Sequence, residues 1–326
     1  MPTGGSKQLV RFFFATDVHG SEVTFRKFIN AAKFYRADVL ILGGDVTGKI
    51  VVPIVSLPGG TYTGAFLGQE HLAKNDQELK DLLRKVENSG AYPAVMPKDE
   101  LDRIKDDQGK LDGLFKKLMM ERLARWVEFA EERLKDTGTV CYITGGNDDA
   151  QEAVDVIKDT AHVKNPDGKT VRVSDLHEMA SLGWSNFTPW KTPRECSEEE
   201  LHEKIERMVA NIQDMSNAVF NFHVPPVDSV LDSAPKLDSS VYPPRPVMAG
   251  GQMVYFGAGS KAVRDAIEKY QPLLGLHGHI HESRASTKLG RTLCLNPGSE
   301  YGEAVLRGVI VELSDKKVIK YQFTSG

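Results

Sequence analysis

Leu276-His277-Gly278-His279-Ile280-His281-Glu282 sets three histidines at every second position directly after an apolar run, Pro272 to Leu276. The run reads as a buried strand, so the three imidazoles are expected to emerge together where that strand ends. A lone histidine in such a place is usually a core group satisfied by one hydrogen bond. Three alternating ones beside glycine read as metal ligands instead, because neutral imidazole is the commonest protein ligand for zinc, manganese, iron and related ions. The rest of the ligand set must come from elsewhere in the chain.

Working outward, four other predicted strands end in polar groups. The first, Gln8 to Ala15, runs into Thr16-Asp17-Val18-His19-Gly20. An Asp and a His at a strand's C-terminal end lie at the crevice where open α/β sheets place their ligands. The amphipathic stretch Glu22 to Tyr35 follows, then an apolar core at Val39 to Leu42 that ends in Gly43-Gly44-Asp45. Strand, helix and strand make a βαβ unit, which sets Asp45 beside Asp17 at one sheet edge. Two carboxylates facing each other in a cleft repel unless a cation lies between them. The strand Thr139 to Thr144 ends in Gly145-Gly146-Asn147-Asp148-Asp149, and the strand Asn217 to Phe222 ends at His223. Asn-Asp-Asp read alone is also a turn that caps the helix beginning near Gln151.

Between these ends, Val51 to Gly68 suggests a short strand and a loop. Asn75 with Glu78 resembles a capping box for a helix reaching Gly90, and a longer helical pattern covers Leu111 to Lys135. The longer helix either packs on the sheet or caps the cleft. Ser185 to Trp190 reads as a loop whose Trp190 is a candidate pocket wall, followed by a helix from Glu198 to Met215. Val224 to Met253 holds Pro225, Pro226, Pro235, Pro243, Pro244 and Pro246, so it cannot be a central strand or helix and is expected along the rim of the cleft. Ser260 reads as the N-cap of a helix over Lys261 to Tyr270.

The 326 residues are 40% hydrophobic and 26% charged, an ordinary globular composition with length for a large core. Cys141, Cys196 and Cys294 share no close spacing, which suggests neither a disulfide framework nor a Cys-type zinc site and fits a cytoplasmic location. The apolar run Leu9 to Ala15 is too short and too polar for a signal peptide or membrane span. A formal charge of -4 argues against a basic surface that holds nucleic acid, while small phosphorylated substrates remain open because metal ions supply positive charge locally.

Taken in order, Asp17/His19, Asp45, Asn147, His223 and His279/His281 resemble the calcineurin-like metallophosphoesterase superfamily, whose signature runs D-x-H, G-D, G-N-H-[D/E], a lone H and G-H-x-H. The resemblance spans Asp17 to His281. It implies an α/β (α+β) fold, a four-layer αββα sandwich with two mixed β-sheets. It also implies one domain over 1–326, with a helical insertion at about 69–137 and a proline-rich insertion at about 224–253. Asp17, His19 and His281 would hold one divalent metal ion, Asn147, His223 and His279 a second, and Asp45 would bridge them. Mixed nitrogen and oxygen ligands suit Mn, Fe, Zn, Ni or Co, with Mn or Fe favoured by the resemblance.

The implied reaction is hydrolysis of a small phosphorylated substrate by a hydroxide held between the two cations, attacking phosphorus in line with the leaving group. One departure stands out: Asp148 occupies the place of the G-N-H histidine, with Asp149 after it. An aspartate near dications is a poor general acid at neutral pH, which favours a phosphodiesterase with a good leaving group over a phosphomonoesterase. Asn147 and Asp148 are the catalytic candidates, and His277 and Asp149 are candidates for supporting the ligands. A protein-binding scaffold with a retained metal site, or a nuclease using Lys116-Lys117, are the alternatives. Nothing in the sequence points to an oligomeric state.

Overall fold

Phe12, Phe13 and Phe14 are consecutive and all fully buried, which requires a strand covered on both faces. In a computed structural model that describes residues 9–238, 240–241 and 244–326, they lie in the strand Val10–Ala15. Gln8, the expected start of that strand, and Pro243 fall outside the described residues. Side-chain alternation sends Phe12 and Phe14 into one apolar core and Phe13 and Ala15 into another.

That strand is central in a six-stranded mixed sheet ordered Lys317–Ser325, Arg307–Ser314, Val10–Ala15, Val39–Leu42, Val140–Ile143, Val163–Lys164. A second mixed sheet of five runs Glu178–Leu182, Ala218–Phe222, Leu274–Leu276, Thr292–Asn296, Ala285–Leu289. Phe12, Phe14 and Ile41 of the first sheet meet Val219, Leu274, Leu276 and Leu295 of the second. Helices Glu198–Val209 and Lys261–Tyr270 cover the second sheet's outer face through Leu201, Ile205, Val263 and Ile267. The architecture is the expected αββα sandwich.

Register brings the strand ends together. Ala15 pairs with Leu42 and Leu42 with Ile143, all parallel, so the chain leaves three neighbouring strands at one edge. In the second sheet Leu182 pairs with Phe222 and Asn221 with Leu276, again parallel. Asn221 is buried between the sheets and donates to Thr144 Oγ1 at 3.0 Å and Ser181 Oγ at 3.1 Å, a polar tie close to that edge.

The long helix, Gln108–Leu134, packs on the first sheet together with helix Glu22–Tyr35 and does not cap the cleft. Trp126 stacks on Phe25 with ring centroids 4.1 Å apart and donates from Nε1 to Glu22 Oε2 at 2.6 Å. Arg122, on the same face, is buried and donates to Gly20 O at 2.7 Å and Ala91 O at 3.1 Å. It thereby pins the loop just after His19.

The stretch 69–137 is mostly helical as expected, in Asp76–Asn88, Lys98–Ile104 and Gln108–Leu134, but it also gives two strands to a sheet that begins before it. Gln69–Ala73, Thr61–Phe66, Val51–Leu57 and Tyr92–Pro97 form a four-stranded sheet covered by helix Asp76–Asn88. Leu67 and Gly68 both have left-handed φ, 51° and 72°, as in a two-residue hairpin turn. Leucine is rare in such a turn, and Gln69–Ala73 has weak strand propensity, so cross-strand pairing decides its conformation. The expected helix to Met215 stops at Val209. The proline-rich segment forms three short antiparallel pairs: Ser233–Pro235 with Tyr255–Gly257, Leu237–Asp238 with Arg245–Pro246, and Met248–Ala249 with Gln252–Met253.

Because Trp126 is buried against helix Glu22–Tyr35, Trp126→Ala should lower unfolding stability by about 3–5 kcal/mol. Urea unfolding checks this: the midpoint should fall with the slope unchanged. A near-neutral result would mean the helix is not part of this core.

Candidate metal centre

Four residues at the shared strand edge have left-handed backbone although none is glycine: Asp17 at φ 53°, His19 at 41°, Asp45 at 48° and His279 at 67°. Each such residue costs on the order of 1–2 kcal/mol, and their clustering marks a site where geometry outranks local comfort. The loops hold one another in that shape. Asp17 N donates to Gly44 O and His19 N to Asp45 O, both at 2.9 Å. A methyl group on Gly146 would lie 2.0 Å from Asp45 Oδ1, and one on Gly278 2.4 Å from Asp17 Oδ2, so only glycine permits these approaches. Asp149 accepts from Val46 N, Thr47 N, Thr47 Oγ1 and Gly146 N at 2.6–2.9 Å, tying the loop after one strand to the loop after the next.

Two groups of ligand atoms result. Asp17, His19 and His281 form one, and Asp45, His223 and His279 the other. Asp17 Oδ1 lies 3.2 Å from His281 Nε2 and 3.9 Å from both His19 Nε2 and His223 Nε2. Asp45 faces both groups, with Oδ2 3.6 Å from His19 Nε2 and Oδ1 3.3 Å from His223 Nε2. His19 and His281 bring their Nε2 atoms within 3.1 Å of each other. His223 Nδ1 lies 3.1 Å from Gly43 O, a contact in which Nδ1 carries a proton and Nε2 is left as the ligand atom once its own proton is displaced. That buried Nε2 faces the Asp45 and Asp17 carboxylates, at 3.3 and 3.9 Å. Converging carboxylate oxygens and imidazole nitrogens, with the buried Asp17 Oδ1 given no hydrogen bond among the described residues, are a donor set fit to hold metal ions.

Asn147 joins the second group through Oδ1, 2.8 Å from His279 Nδ1. Its amide is oriented from behind: Nδ2 donates to Thr192 Oγ1 at 2.7 Å, and Thr192 Oγ1 donates to Glu195 Oε1 at 2.7 Å. Arg194 N donates to Asn147 O at 3.0 Å, while the buried Arg194 side chain pairs with Asp167 at 2.7 Å.

His277 does not emerge with the other two histidines. Its backbone N–H continues the strand to Leu295 O, and its fully buried ring places Nδ1 2.8 Å from Phe222 O. The strand stops at Leu276, and the left-handed turn at His279 ends the alternation on which a common exit depended. Trp190 is exposed on the loop that carries Thr192 and belongs to neither ligand group. Asp149 is a brace between loops, as described above.

Asp148 makes a third grouping with His19 and Asp45. Its N–H donates to Asp45 Oδ1 at 3.0 Å, its Oδ2 lies 3.9 Å from His19 Nδ1, and its carboxylate is ion-paired with Lys49. Tyr301 packs its ring against His19, centroids 4.7 Å apart, and against His281 at 6.0 Å. Lys49, Thr192, Arg194 and Tyr301 carried no sequence signal, since each lies outside the strands and α-helices and acquires its place only when strand ends meet.

The charges are set by burial against close partners. Burial presses the His19 pKa down to about 3 and that of His279 to about 4, which keeps both imidazoles neutral and available as ligands. Burial also opposes a charge on His223, but Asp45 and then Asp17 outweigh it and hold its pKa up at about 9. Asp45 is held well below the usual carboxylate range, with His223 overcoming its burial. Asp148 is raised by burial and by Asp45, with Lys49 pulling the other way.

No family model matches the chain. An uncharacterised protein of Methanocaldococcus jannaschii is 30% identical over 154 residues, which are 47% of this chain and 61% of that protein, so the chain spans about three-fifths of its relative's length. One crystal structure superposes with a TM-score of 0.55 at 13% identity, covering 97% of this chain and 99% of that one. A Thermus thermophilus protein does so at 0.51 and 12%, covering 98% and 99%. These likenesses show the fold. An archaeal phosphodiesterase, at 11% identity, and an E. coli phosphoesterase, at 12%, align over 97% and 96% of this chain but at TM-scores of 0.33, too loose to argue from. Among the described residues no helix is long and apolar enough to cross a membrane.

Asp45→Asn should weaken manganese binding by more than about tenfold, the scale of loss for an outer partner alone. Full retention, read by metal analysis after dialysis, would remove Asp45 from the centre. The pKa near 9 also means that metal-free protein carries a proton on His223 at pH 7, which a cation must displace. Manganese affinity should therefore rise from pH 6 to pH 8. Calorimetry in buffers of different ionisation enthalpy should register net proton release; equal heats and a pH-independent affinity would contradict the arrangement.

Proposed function

We propose that this chain is a metal-dependent phosphohydrolase of the calcineurin-like kind, acting on a small phosphodiester in preference to a monoester. In this reading Asp17, His19 and His281 hold one divalent cation, Asn147, His223 and His279 a second, and Asp45 bridges. Manganese or iron is the expected metal. The observation that carries the reading is Asp45, a buried carboxylate whose two oxygens face separate histidine groups at 3.6 and 3.3 Å. Two cations there would lower the pKa of bound water towards neutrality and offset charge on the phosphoryl group.

The chain's own part is to hold that geometry. His223 is aimed by Gly43 O and Asn147 by Thr192, so neither ligand must reorganise when a substrate arrives. Asp17 and Asp45 supply the negative charge that selects divalent cations over a phosphate alone. No histidine follows Asn147, and Asp148 is committed to Lys49 and to the Asp45 loop. A leaving group that departs with little protonation fits such a site, which supports the preference for activated diesters.

The direct test is hydrolysis of an aryl phosphodiester and its matching monoester by chelator-stripped protein, with and without manganese. Manganese-dependent turnover, faster on the diester and lost in Asp45→Asn, is expected. Metal binding without turnover of either compound would sink the proposal. Asp148→His should change turnover by about 10-fold or more, the lower range for acid–base catalysis, while metal content stays the same. Loss of metal alone would put Asp148 among the ligands.

A further inference from the structure

We propose that Lys49 is the anion-binding residue of this centre, donating from Nζ to a non-bridging oxygen of the phosphoryl group; the inference rests on the phosphohydrolase reading. Lys49 sits four residues after Asp45, at the end of a loop that is held along its length. Asp149 fixes Val46 and Thr47. Gly48 N donates to Tyr92 Oη at 2.8 Å, and Gly48 is pressed so closely to Gly90 O that an added methyl would lie 1.9 Å away. A lysine on such a loop has a defined base and a flexible tip.

The tip is aimed at the centre by Asp148, whose carboxylate is ion-paired with it and lies 3.9 Å from His19 Nδ1. One carboxylate thus separates the ammonium from the first ligand group. The side chain of Lys49 is 51% exposed, whereas that of Asp148 is 18% exposed, so the cation and not the carboxylate is the charge presented at the mouth. Without it, Asp148 would meet an incoming phosphodiester as a bare negative charge. An ammonium has three N–H donors and spends one on Asp148, leaving two for a ligand. Tyr301, whose ring is tilted against that of His19, keeps a neutral phenol beside this ammonium. A phosphoryl group at the centre would thus be met by the cations the ligand groups would hold and by the Lys49 ammonium at the rim, an arrangement that stabilises charge developing on its oxygens.

A simpler role would be neutralisation of Asp148 alone, and a double substitution separates the two. Lys49→Met is compared with Lys49→Met/Asp148→Asn, in which neutrality is restored but the donor is not, and with Lys49→Arg. Two readouts are taken on manganese-loaded protein: calorimetric binding of inorganic phosphate, and kcat/KM on the aryl diester. We expect Lys49→Met and the double variant both to bind phosphate at least tenfold more weakly and to turn over about 10²-fold more slowly, the scale for losing one oxyanion donor. Lys49→Arg should recover part of both, and bound manganese should match wild type throughout, which also reports that the variants are folded. Recovery of wild-type phosphate binding and turnover in the double variant would overturn the inference while leaving the hydrolase intact. Wild-type protein that holds manganese but binds no phosphate and hydrolyses no diester would overturn both.

Discussion

Asp17 and Asp45 are both buried at one sheet edge, and each raises the cost of ionising the other. Desolvation alone would drive both towards protonation. Imidazoles reverse this: His223 and His281 draw Asp17 below the usual carboxylate range, and His223 and His19 do the same for Asp45. In the protein without metal the charge is balanced in part by a proton on His223. The centre therefore holds two negative charges in a dry place and keeps its balancing groups within reach of both, which is the electrostatic condition for exchanging a proton for a divalent cation.

Everything around the edge serves to keep those charges in register. Three parallel strands of one sheet and three of the other stop at matching positions, and the loops beyond them are cross-linked by backbone bonds, by Asp149 and by the buried Arg122. Left-handed backbone at Asp17, His19, Asp45 and His279 is tolerated because the apolar cores on either side of the first sheet leave the loops no room to relax. The same packing carries Asp148 and Lys49. Asp148 is tied through its own N–H to Asp45, so the ion pair with Lys49 is anchored to the carboxylate that faces both histidine groups.

Much of this was legible in residue order. Strand ends at Ala15, Leu42, Ile143, Phe222 and Leu276 could be read from apolar runs that terminate in glycine and polar groups, and parallel pairing through a βαβ unit predicts that Asp17 and Asp45 share an edge. The sandwich followed from the same pattern once the family resemblance was recognised. Less legible was the region 51–97. There a Leu-Gly hairpin turn and a polar edge strand are stabilised by neighbours and not by their own propensities, so Val51 to Gly68 reads as one strand and a loop and Gln69–Ala73 as part of a helical insertion, although the helix carrying Leu79, Leu82 and Val86 is where its spacing puts it.

The sequence by itself determined which side chains are available as ligands, and their order along the chain. Strand ends follow from local periodicity, which survives without a fold, and the ligand set is what the order of motifs at those ends implies by resemblance. Tertiary structure alone decided that His277 turns away while His279 and His281 face the centre, because that depends on where the strand stops and on one left-handed residue. It alone brought Thr192 behind Asn147, Tyr301 against His19 and Lys49 onto Asp148, pairs separated by 45, 282 and 99 positions. Contacts of that kind have no period, and only close packing of loops from different strands creates them.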